Sequence, residues 1–217
     1  MDDGSGSVEE SLNCMCVLEE VGFSQMYITP HFQEPRFPNS EGDIKNRFVE
    51  FKKDVENSGL YMNLLGVGGE YRIDDGFVRR ISQDSFLTVG QDEYILVELS
   101  LRQHRMGFEK TIYDLQMAGH QVILAHPERY HYLATNSNML QQLKDQGTLF
   151  QCNILSLSGF YGSESRSRAT ELIEKGWVEL LGTDLHNETY AKALREATRS
   201  RTVRSVLKKY HFLNHEL

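Results

Sequence analysis

Short runs of apolar residues alternate along this chain with longer segments in which apolar residues recur every three or four positions. The clearest run is Val122-Ile-Leu-Ala125, which leads directly into His126 and a proline. A buried parallel strand reads as a continuous apolar run, and a proline after it ends the ladder of backbone hydrogen bonds. Runs of this kind predict six strands, at residues 26–30, 64–69, 94–97, 122–125, 149–153 and 178–183.

Segments with helical periodicity lie between the predicted strands. Ser7 and Glu10 match the S-x-x-E capping box at the start of the first helix, and Gly22 is a C-terminal stop signal. The predicted helices cover residues 7–21, 41–57, a short stretch from 75, 108–118, 136–146, 164–174 and 188–209. Strands that alternate with helices predict an α/β fold with right-handed crossovers, in a parallel sheet or barrel. Without a long linker or an internal repeat, residues 1–217 are expected to form a single domain.

Composition argues against several classes of protein. A chain of 217 residues with 40% hydrophobic content is long enough for one substantial core. Its net charge of −8 argues against a nucleic-acid-binding surface, which needs a basic stripe. No apolar run approaches the ~18 residues of a membrane-spanning helix, and the opening Met1-Asp-Asp-Gly4 is unlike a signal peptide. We therefore expect a cytoplasmic protein that does not itself span a membrane.

Side chains that bind metals follow five of the predicted strands. They are His31, Glu70, Glu98, His126, and the pair Asp184 and His186. Loops that leave the carboxyl ends of parallel strands surround a common crevice, so these side chains should converge. Mixed imidazole and carboxylate donors suit Mn, Fe or Zn ions bridged in pairs. Taken singly, each has a simpler interpretation, as a hydrogen-bonded histidine or as a solvated or helix-capping carboxylate. The other histidines do not follow strands in this way and are expected on the surface: His104, His120, His131, His211 and His215.

The order of these motifs resembles that of the bacterial PHP-type protein-tyrosine phosphatases of capsule and exopolysaccharide operons. The matching stretches are Thr-Pro-His31, Gly69-Glu70, Glu98, Ala-His126-Pro-Glu-Arg129-Tyr and Gly-Thr-Asp184-Leu-His186-Asn. The opening Asp2-Asp3-Gly4 is similar to the family's segment just after its first strand. The resemblance covers nearly the whole chain.

The resemblance implies a distorted TIM-like (β/α)7 PHP barrel with a manganese-dependent site of two or three ions, for which Fe or Zn are alternatives. The implied reaction is hydrolysis of phosphotyrosine on the tail of a bacterial tyrosine kinase of capsule or exopolysaccharide biosynthesis. The implied metal ligands are Asp3, His31, Glu70, Glu98, His126, Asp184 and His186. By the same resemblance Arg129 would bind phosphate, and it would form the catalytic group with Asp184 and His186.

The residue types suit this chemistry independently. Hydrolysis of a phosphomonoester needs charge neutralisation and an activated water, which metal ions ~3.5–4 Å apart supply. Arg129 lies three residues after His126, so its guanidinium could hold phosphate oxygens; alternatively it forms an ion pair with Glu128 or a barrel carboxylate. A cysteine-phosphatase mechanism is excluded, because an arginine does not stand six residues after any cysteine, namely Cys14, Cys16 and Cys152.

The chain departs from the family pattern in two places. The family carries a His-x-His pair on a strand before Asp-Asp-Gly, and Met1 stands where that strand would already have ended. We therefore expect a barrel without its first strand and two of its ligands, a truncated version of a longer protein with little or no phosphatase activity. Family members also place an arginine soon after Asp-x-His, whereas the next arginine here is Arg195.

Two other functions remain open. A small-molecule PHP phosphoesterase, acting on a compound such as histidinol phosphate, would use the same metals. Aromatic residues favour a peptide substrate, although they could simply pack at the rim: Tyr130, Tyr132, Phe160 and Tyr161. The second alternative is a catalytically impaired module that binds the kinase tail. Turnover of a phosphotyrosine peptide with and without Mn²⁺ separates these functions.

Overall fold

The chain folds as an α/β structure around a parallel sheet, as its alternating pattern predicts. The computed structural model describes residues 2–90, 94–133 and 137–217. Its strands are β1 (Gln25–Ile28), β2 (His31–Phe32), β3 (Asn63–Val67), β4 (Glu70–Arg72), β5 (Tyr94–Glu98), β6 (Gln121–Ala125), β7 (Leu149–Asn153) and β8 (Leu180–Gly182). Its α-helices are α1 (Val8–Glu20), α2 (Glu41–Ser58), α3 (Asp75–Ile81), α4 (Phe108–Met117), α5 (Ser137–Asp145), α6 (Ile154–Ser158), α7 (Ser163–Glu174), α8 (Glu188–Arg199) and α9 (Arg201–Lys209). Three 3₁₀ turns lie at Pro127–Arg129, His131–Leu133 and Leu213–Glu216.

The strands form two parallel sheets. Six of them are hydrogen-bonded in the order β2-β4-β5-β6-β7-β8, and β1 pairs with β3. Among the described residues β2 has one strand neighbour, β4, and β8 has one, β7, so the larger sheet is open between β2 and β8. The parallel α/β class is therefore confirmed, while closure of the sheet into a barrel stays a prediction.

The first predicted strand, residues 26–30, is interrupted by a proline. β1 ends at Ile28, and a new strand, β2, begins at His31. Pro30 has no backbone N–H and cannot continue the ladder, but its carbonyl accepts a hydrogen bond from the Glu70 N–H at 3.0 Å. His31 therefore lies at the start of a short strand, and the prediction that it follows a strand's carboxyl end is wrong.

The predicted strand 64–69 is interrupted in the same way by a pair of glycines. β3 ends at Val67, and β4 begins at Glu70. A Cβ atom on Gly69 would lie 2.7 Å from the ring of Phe32, so only glycine allows β2 to approach this closely. Like His31, Glu70 begins a strand where the sequence pattern predicts it to follow one.

The first helix begins at its predicted cap, whereas one segment predicted as a single helix is divided into two helices. The Ser7 side chain accepts from the Glu10 N–H at 3.1 Å, and the Glu10 carboxylate accepts from the Gly6 N–H at 2.8 Å, at the start of α1. The predicted helix 188–209 is two helices, because the Ser200 side chain accepts from the Val203 N–H and starts α9. The predicted helix 136–146 corresponds to α5; its first residue, Asn136, lies outside the described residues.

The core lies on both faces of the larger sheet. All four residues of the Val122–Ala125 run are at most 1% exposed. Val122 and Leu124 pack into the main hydrophobic cluster beneath the helices, whereas Ile123 and Ala125 pack into a second cluster on the opposite face. Burial on both faces explains why this strand is apolar at consecutive positions. No helix in the described part of the chain has the length and apolarity to cross a bilayer.

Candidate metal centre

Two buried carboxylates and a buried imidazole meet where β4, β5 and β6 lie side by side. His126 Nε2 lies 3.2 Å from Glu70 Oε1 and 3.6 Å from Glu98 Oε2. The three residues are at most 6% exposed. His31 Nε2 lies 3.9 Å from an oxygen of each glutamate. Four of the residues predicted as ligands therefore form one group.

A second group of potential ligands shares His31 with the first. His31 Nδ1 lies 3.4 Å from Asp3 Oδ1, and the same oxygen lies 3.6 Å from His186 Nε2. The other ring nitrogen of His186 lies 3.4 Å from Asp184 Oδ1. An unbroken series of contacts thus links all seven residues that the sequence predicted as ligands: Asp3, His31, Glu70, Glu98, His126, Asp184 and His186.

The backbone at two of these residues is strained. His126, directly after β6, has φ of 36°, and Asp184, two residues after β8, has φ of 50°. A residue other than glycine in this left-handed region costs on the order of 1–3 kcal/mol and persists where the surroundings fix it. At His126 the N–H donates to the Gln151 carbonyl at 2.7 Å, and the carbonyl accepts from the Arg129 N–H at 2.9 Å. Both side chains line the same crevice.

Three side chains hold one oxygen of Asp184. Its Oδ2 accepts from Arg129 Nη1 at 2.7 Å, from Asn153 Nδ2 at 2.8 Å and from the Tyr161 hydroxyl at 3.3 Å. The Arg129 guanidinium also lies 4.1 Å above the centre of the Tyr161 ring. The sequence allowed Arg129 an ion pair with Glu128 or with a carboxylate at a strand end, and the structure shows the second of these, with Asp184. Glu128 instead accepts from the Asn153 N–H and the Ser156 hydroxyl.

Several residues at the centre were not singled out by sequence reasoning. Asp2 Oδ2 accepts from the His31 N–H at 2.9 Å and lies 3.3 Å from its Nδ1. Arg72 Nε donates to Glu98 Oε1 at 2.9 Å. Arg72 could have been suspected, because it lies two residues after Glu70 and so on the same face of β4. Arg195, the first arginine after His186, pairs with Glu20 of α1.

Charge at the centre depends on burial and on opposite charges in contact. Burial alone lowers the pKa of His126, but contacts with Glu70 and Glu98 outweigh it and raise that pKa to about 10. Burial likewise opposes ionisation of Glu98, yet His126 and Arg72 lower its pKa to about 2. Burial raises the pKa of Glu70 above its usual range even though His126 contacts it. Contact with the two carboxylates therefore favours the protonated form of His126 when metal is absent.

The donor set fits divalent cations. Two groups place one ligand atom of each residue within 4.8 Å of the others: Asp3 with His31 and His186, and His31 with Glu70 and Glu98. His126 Nδ1 is buried without a hydrogen-bond partner among the described residues. Buried carboxylates are costly unless cations compensate them, and imidazole with carboxylate oxygen is a donor mixture for Mn, Fe or Zn.

The aromatic residues near the centre fall into two sets. Tyr130 is fully buried, with its hydroxyl donating to the Ala125 carbonyl and accepting from the Leu99 N–H, so the prediction that it favours a peptide substrate is wrong. Tyr132 is half-buried, and its hydroxyl donates to the Ser100 carbonyl at 2.8 Å. Phe160 and Tyr161 do lie beside the centre and contact the ring of Tyr190, which in turn contacts His186.

Among the described residues, the remaining histidines do not contact the seven predicted ligands. Four are exposed, namely His104, His131, His211 and His215. His120 is half-buried and lies 2.7 Å from Asp84.

The fold and this centre define an α/β protein with a carboxylate and imidazole site suited to metal ions. The chain belongs to the CpsB/CapC family of capsular polysaccharide synthesis, whose family model matches residues 1–212. Family membership predicted from the motifs is therefore confirmed.

Relatives and a solved structure agree with this assignment. The putative tyrosine-protein phosphatase CapC of Staphylococcus aureus is 28% identical over 189 residues, which are 87% of this chain and 74% of CapC. The tyrosine-protein phosphatase YwqE of Bacillus subtilis is 25% identical over 86% of this chain and 73% of its own length. A structure from work on YwqE and on CpsB of Streptococcus pneumoniae, described there as unique metal-dependent tyrosine phosphatases, superposes with a TM-score of 0.79. The superposed region covers 96% of this chain and 87% of the solved chain, and the two are 23% identical in sequence. This likeness shows that the two chains share a fold.

Proposed function

We propose that this chain is a metal-dependent protein-tyrosine phosphatase that acts on the phosphotyrosine tail of a bacterial tyrosine kinase of capsule or exopolysaccharide biosynthesis. The observation that carries the proposal is the buried contact of Glu70, Glu98 and His126, with Arg129 held beside Asp184 at the same edge of the sheet. Membership of the CpsB/CapC family and the phosphatase names of its relatives support it. We place the reaction in the cytoplasm and assign residues 1–217 to a single PHP domain.

The proposed cofactor is two or three Mn²⁺ ions, with Fe or Zn as alternatives. Glu70, Glu98 and His126 would hold ions on the buried side, Asp3 and His186 would hold them on the open side, and His31 lies between the two groups. When bound, metal ions supply an activated water and neutralise charge on the phosphoryl oxygens. Asp184 Oδ1 is the oxygen of that carboxylate free for the metals, because three side chains engage Oδ2.

Arg129 is proposed to bind the phosphate. Its planar guanidinium can hold two phosphate oxygens at once, and it lies 4.1 Å above the centre of the Tyr161 ring. In the structure one guanidinium nitrogen already contacts Asp184, which keeps the cation at the crevice without substrate. Asp184 would thus have two roles, since it positions Arg129 for the phosphate and offers its other oxygen to the metals. His186 contacts that other oxygen, Oδ1.

The aromatic residues beside Arg129 support a tyrosine side chain as the leaving group. Phe160 is 39% exposed, and Phe160 and Tyr161 form one aromatic wall with Tyr190. The Tyr161 ring contacts the Arg129 guanidinium as well as the other rings of this wall. A phosphotyrosine ring stacked on the wall would therefore have its phosphate near that guanidinium.

The test compares substrates and variants under Mn²⁺. The sequence pattern predicted little or no activity without the His-x-His pair, but the seven remaining ligands are in contact, so we expect turnover. The chain should release phosphate from a phosphotyrosine peptide faster than from histidinol phosphate. Glu98→Gln should lower that rate about 10²-fold or more, because a metal ion contributes several kcal/mol of charge stabilisation. Glu50→Gln is the matched control, since Glu50 is an exposed glutamate paired with an arginine on α2. Faster release from histidinol phosphate would assign a small-molecule phosphoesterase instead, and peptide binding without phosphate release would assign a binding module.

A further inference from the structure

Three potential metal ligands lie together at the carboxyl-terminal turn, apart from the candidate metal centre. His211, His215 and Glu216 each place one ligand atom within 4.8 Å of the other two. The rings of His211 and His215 are 5.1 Å apart at an angle of 69°. His215 Nε2 lies 3.7 Å from Glu216 Oε1. The three side chains are exposed, so they can turn toward a shared ion.

The backbone of this turn is fixed to the edge of β8. The Asn214 side chain accepts from the Leu181 N–H at 2.9 Å and donates to the Leu181 carbonyl at 2.9 Å. The Leu213 N–H donates to the Glu179 carbonyl at 2.8 Å. Asn214 thus satisfies the Leu181 N–H and carbonyl, which a neighbouring strand would otherwise pair with. The three ligands are carried by an anchored turn, which reduces the conformational entropy lost on binding an ion.

The hydrogen bonding of His215 prepares it as a ligand. Its Nδ1 lies 3.2 Å from the Phe212 carbonyl, so Nδ1 carries the proton and donates. The lone pair of the neutral ring is then on Nε2, the nitrogen that faces Glu216. A histidine whose second ring nitrogen donates to a backbone carbonyl has the arrangement typical of metal-binding histidines.

We propose that His211, His215 and Glu216 form a second metal site, selective for Zn²⁺. Two imidazoles and one carboxylate are a donor set for tetrahedral zinc, with water as the fourth ligand. Zinc bonds of about 2.0–2.2 Å require the three exposed side chains to rotate closer together. The candidate metal centre is richer in carboxylates, so the two sites differ in the metals they favour.

Zinc at this site would hold the carboxyl-terminal turn against β8. Two backbone amides report on that contact directly, those of Leu181 and Leu213, because each donates across it. Both His215 and His126 line one cavity of about 950 Å³ that extends between β1 and β8. Zinc would therefore order a wall of the cavity that the candidate metal centre also faces.

The first test counts zinc ions bound by the metal-free full chain at equilibrium. The double variant His211→Ala with His215→Ala should bind one Zn²⁺ per chain fewer than the unchanged chain, and Glu216→Gln should bind that ion at least about tenfold more weakly. The matched control is His131→Ala, which removes an exposed histidine 3.1 Å from Glu164 in a two-residue pair. Equal zinc stoichiometry and affinity in the double variant and the unchanged chain would overturn the proposal.

Hydrogen exchange supplies a second readout that does not depend on the candidate metal centre. Added Zn²⁺ should slow exchange of the Leu181 and Leu213 amides in the unchanged chain and in His131→Ala, and leave them unaffected in the double variant. Equal slowing in the double variant would place the responsible ion elsewhere and refute the site. Because all substituted side chains are exposed, circular dichroism of each variant should match that of the unchanged chain.

Discussion

Arg129 and Asp184, 55 residues apart in sequence, form a hydrogen-bonded ion pair of 2.7 Å at the edge of the candidate metal centre. Burial raises the pKa of Asp184, but the charges of His126, His186 and Arg129 outweigh burial and hold that pKa below its usual range. The carboxylate therefore stays ionised, and the guanidinium stays at the crevice. One contact thus connects the residue proposed to bind phosphate with a residue proposed to bind metal.

Replacing Arg129 tests its role in phosphate binding. Arg129→Ala should lower the rate of phosphotyrosine hydrolysis ~10²–10³-fold, the typical loss when one contact to developing charge is removed. Arg129→Lys should recover only part of the rate, because an ammonium group keeps the charge but lacks the planar pair of donors. Arg79→Ala, which breaks an exposed ion pair with Glu34, is the control. Unchanged kinetics in Arg129→Ala would leave Arg129 a structural partner of Asp184.

Asn153 is expected to position Asp184 for metal binding. Its buried side chain donates to Asp184 at 2.8 Å, so Asn153→Ala should weaken Mn²⁺ binding and lower turnover by about 10–100-fold, as for other groups that orient a ligand. Saturating Mn²⁺ should restore part of the turnover if the loss arises from metal binding. Asn13→Ala is the control, because it removes an exposed asparagine that donates to Glu188. An Asn153→Ala protein with normal metal affinity and normal turnover would refute this role.

Metal binding should compete with protons at His126. Its pKa is raised from 6.5 to about 10, so in the metal-free protein the proton stabilises the fold fully below pH 6.5, and this contribution is lost as pH rises through about 10. A metal needs the neutral imidazole, so Mn²⁺ affinity should rise between about pH 6 and pH 8, with protons released on binding. Calorimetry in two buffers of different ionisation enthalpy measures that release. Affinity independent of pH over this range would contradict a protonated His126.

The Tyr130 hydroxyl should stabilise the strand ends at the centre. It donates to the Ala125 carbonyl and accepts from the Leu99 N–H, each at 2.9 Å, beside His126 and Glu98. Tyr130→Phe leaves both buried backbone groups unpaired, which should lower the free energy of unfolding by about 1–3 kcal/mol. Tyr113→Phe, on the exposed side of α4, should change it by less than about 0.5 kcal/mol. Equal denaturation midpoints for the two variants would show that the bridging hydroxyl contributes nothing.

Features set by neighbours along the chain could be predicted from sequence. The Val122–Ala125 run is recognisable because a strand buried on both faces must be apolar at consecutive positions. Glu98 ends β5 and His126 follows β6, so reading ligand-type residues at the ends of apolar runs located both. The same reasoning placed Asp184 after β8, and the contacts link it to the other predicted ligands through His186.

Features set by distant residues could not be predicted in this way. Pro30 marks the break in the first predicted strand, but the short strand β2 after it depends on pairing with β4, where the Glu70 N–H donates to the Pro30 carbonyl. The partners of Asp184 come from positions 55, 31 and 23 residues away, so no local spacing indicates that Arg129, Asn153 and Tyr161 meet on one oxygen. Asp2 likewise contacts His31 across 29 residues.

The most direct test of metal-dependent phosphotyrosine hydrolysis at this centre is reconstitution of the chelated chain. Phosphate release from a phosphotyrosine peptide should be absent after chelation and return on addition of Mn²⁺, in proportion to the metal bound. The variant Glu70→Gln should bind less Mn²⁺ and release little phosphate at the same metal concentration, because it removes a carboxylate from the buried group. Phosphate release that persists in the chelated chain, or that returns equally in Glu70→Gln, would contradict the account.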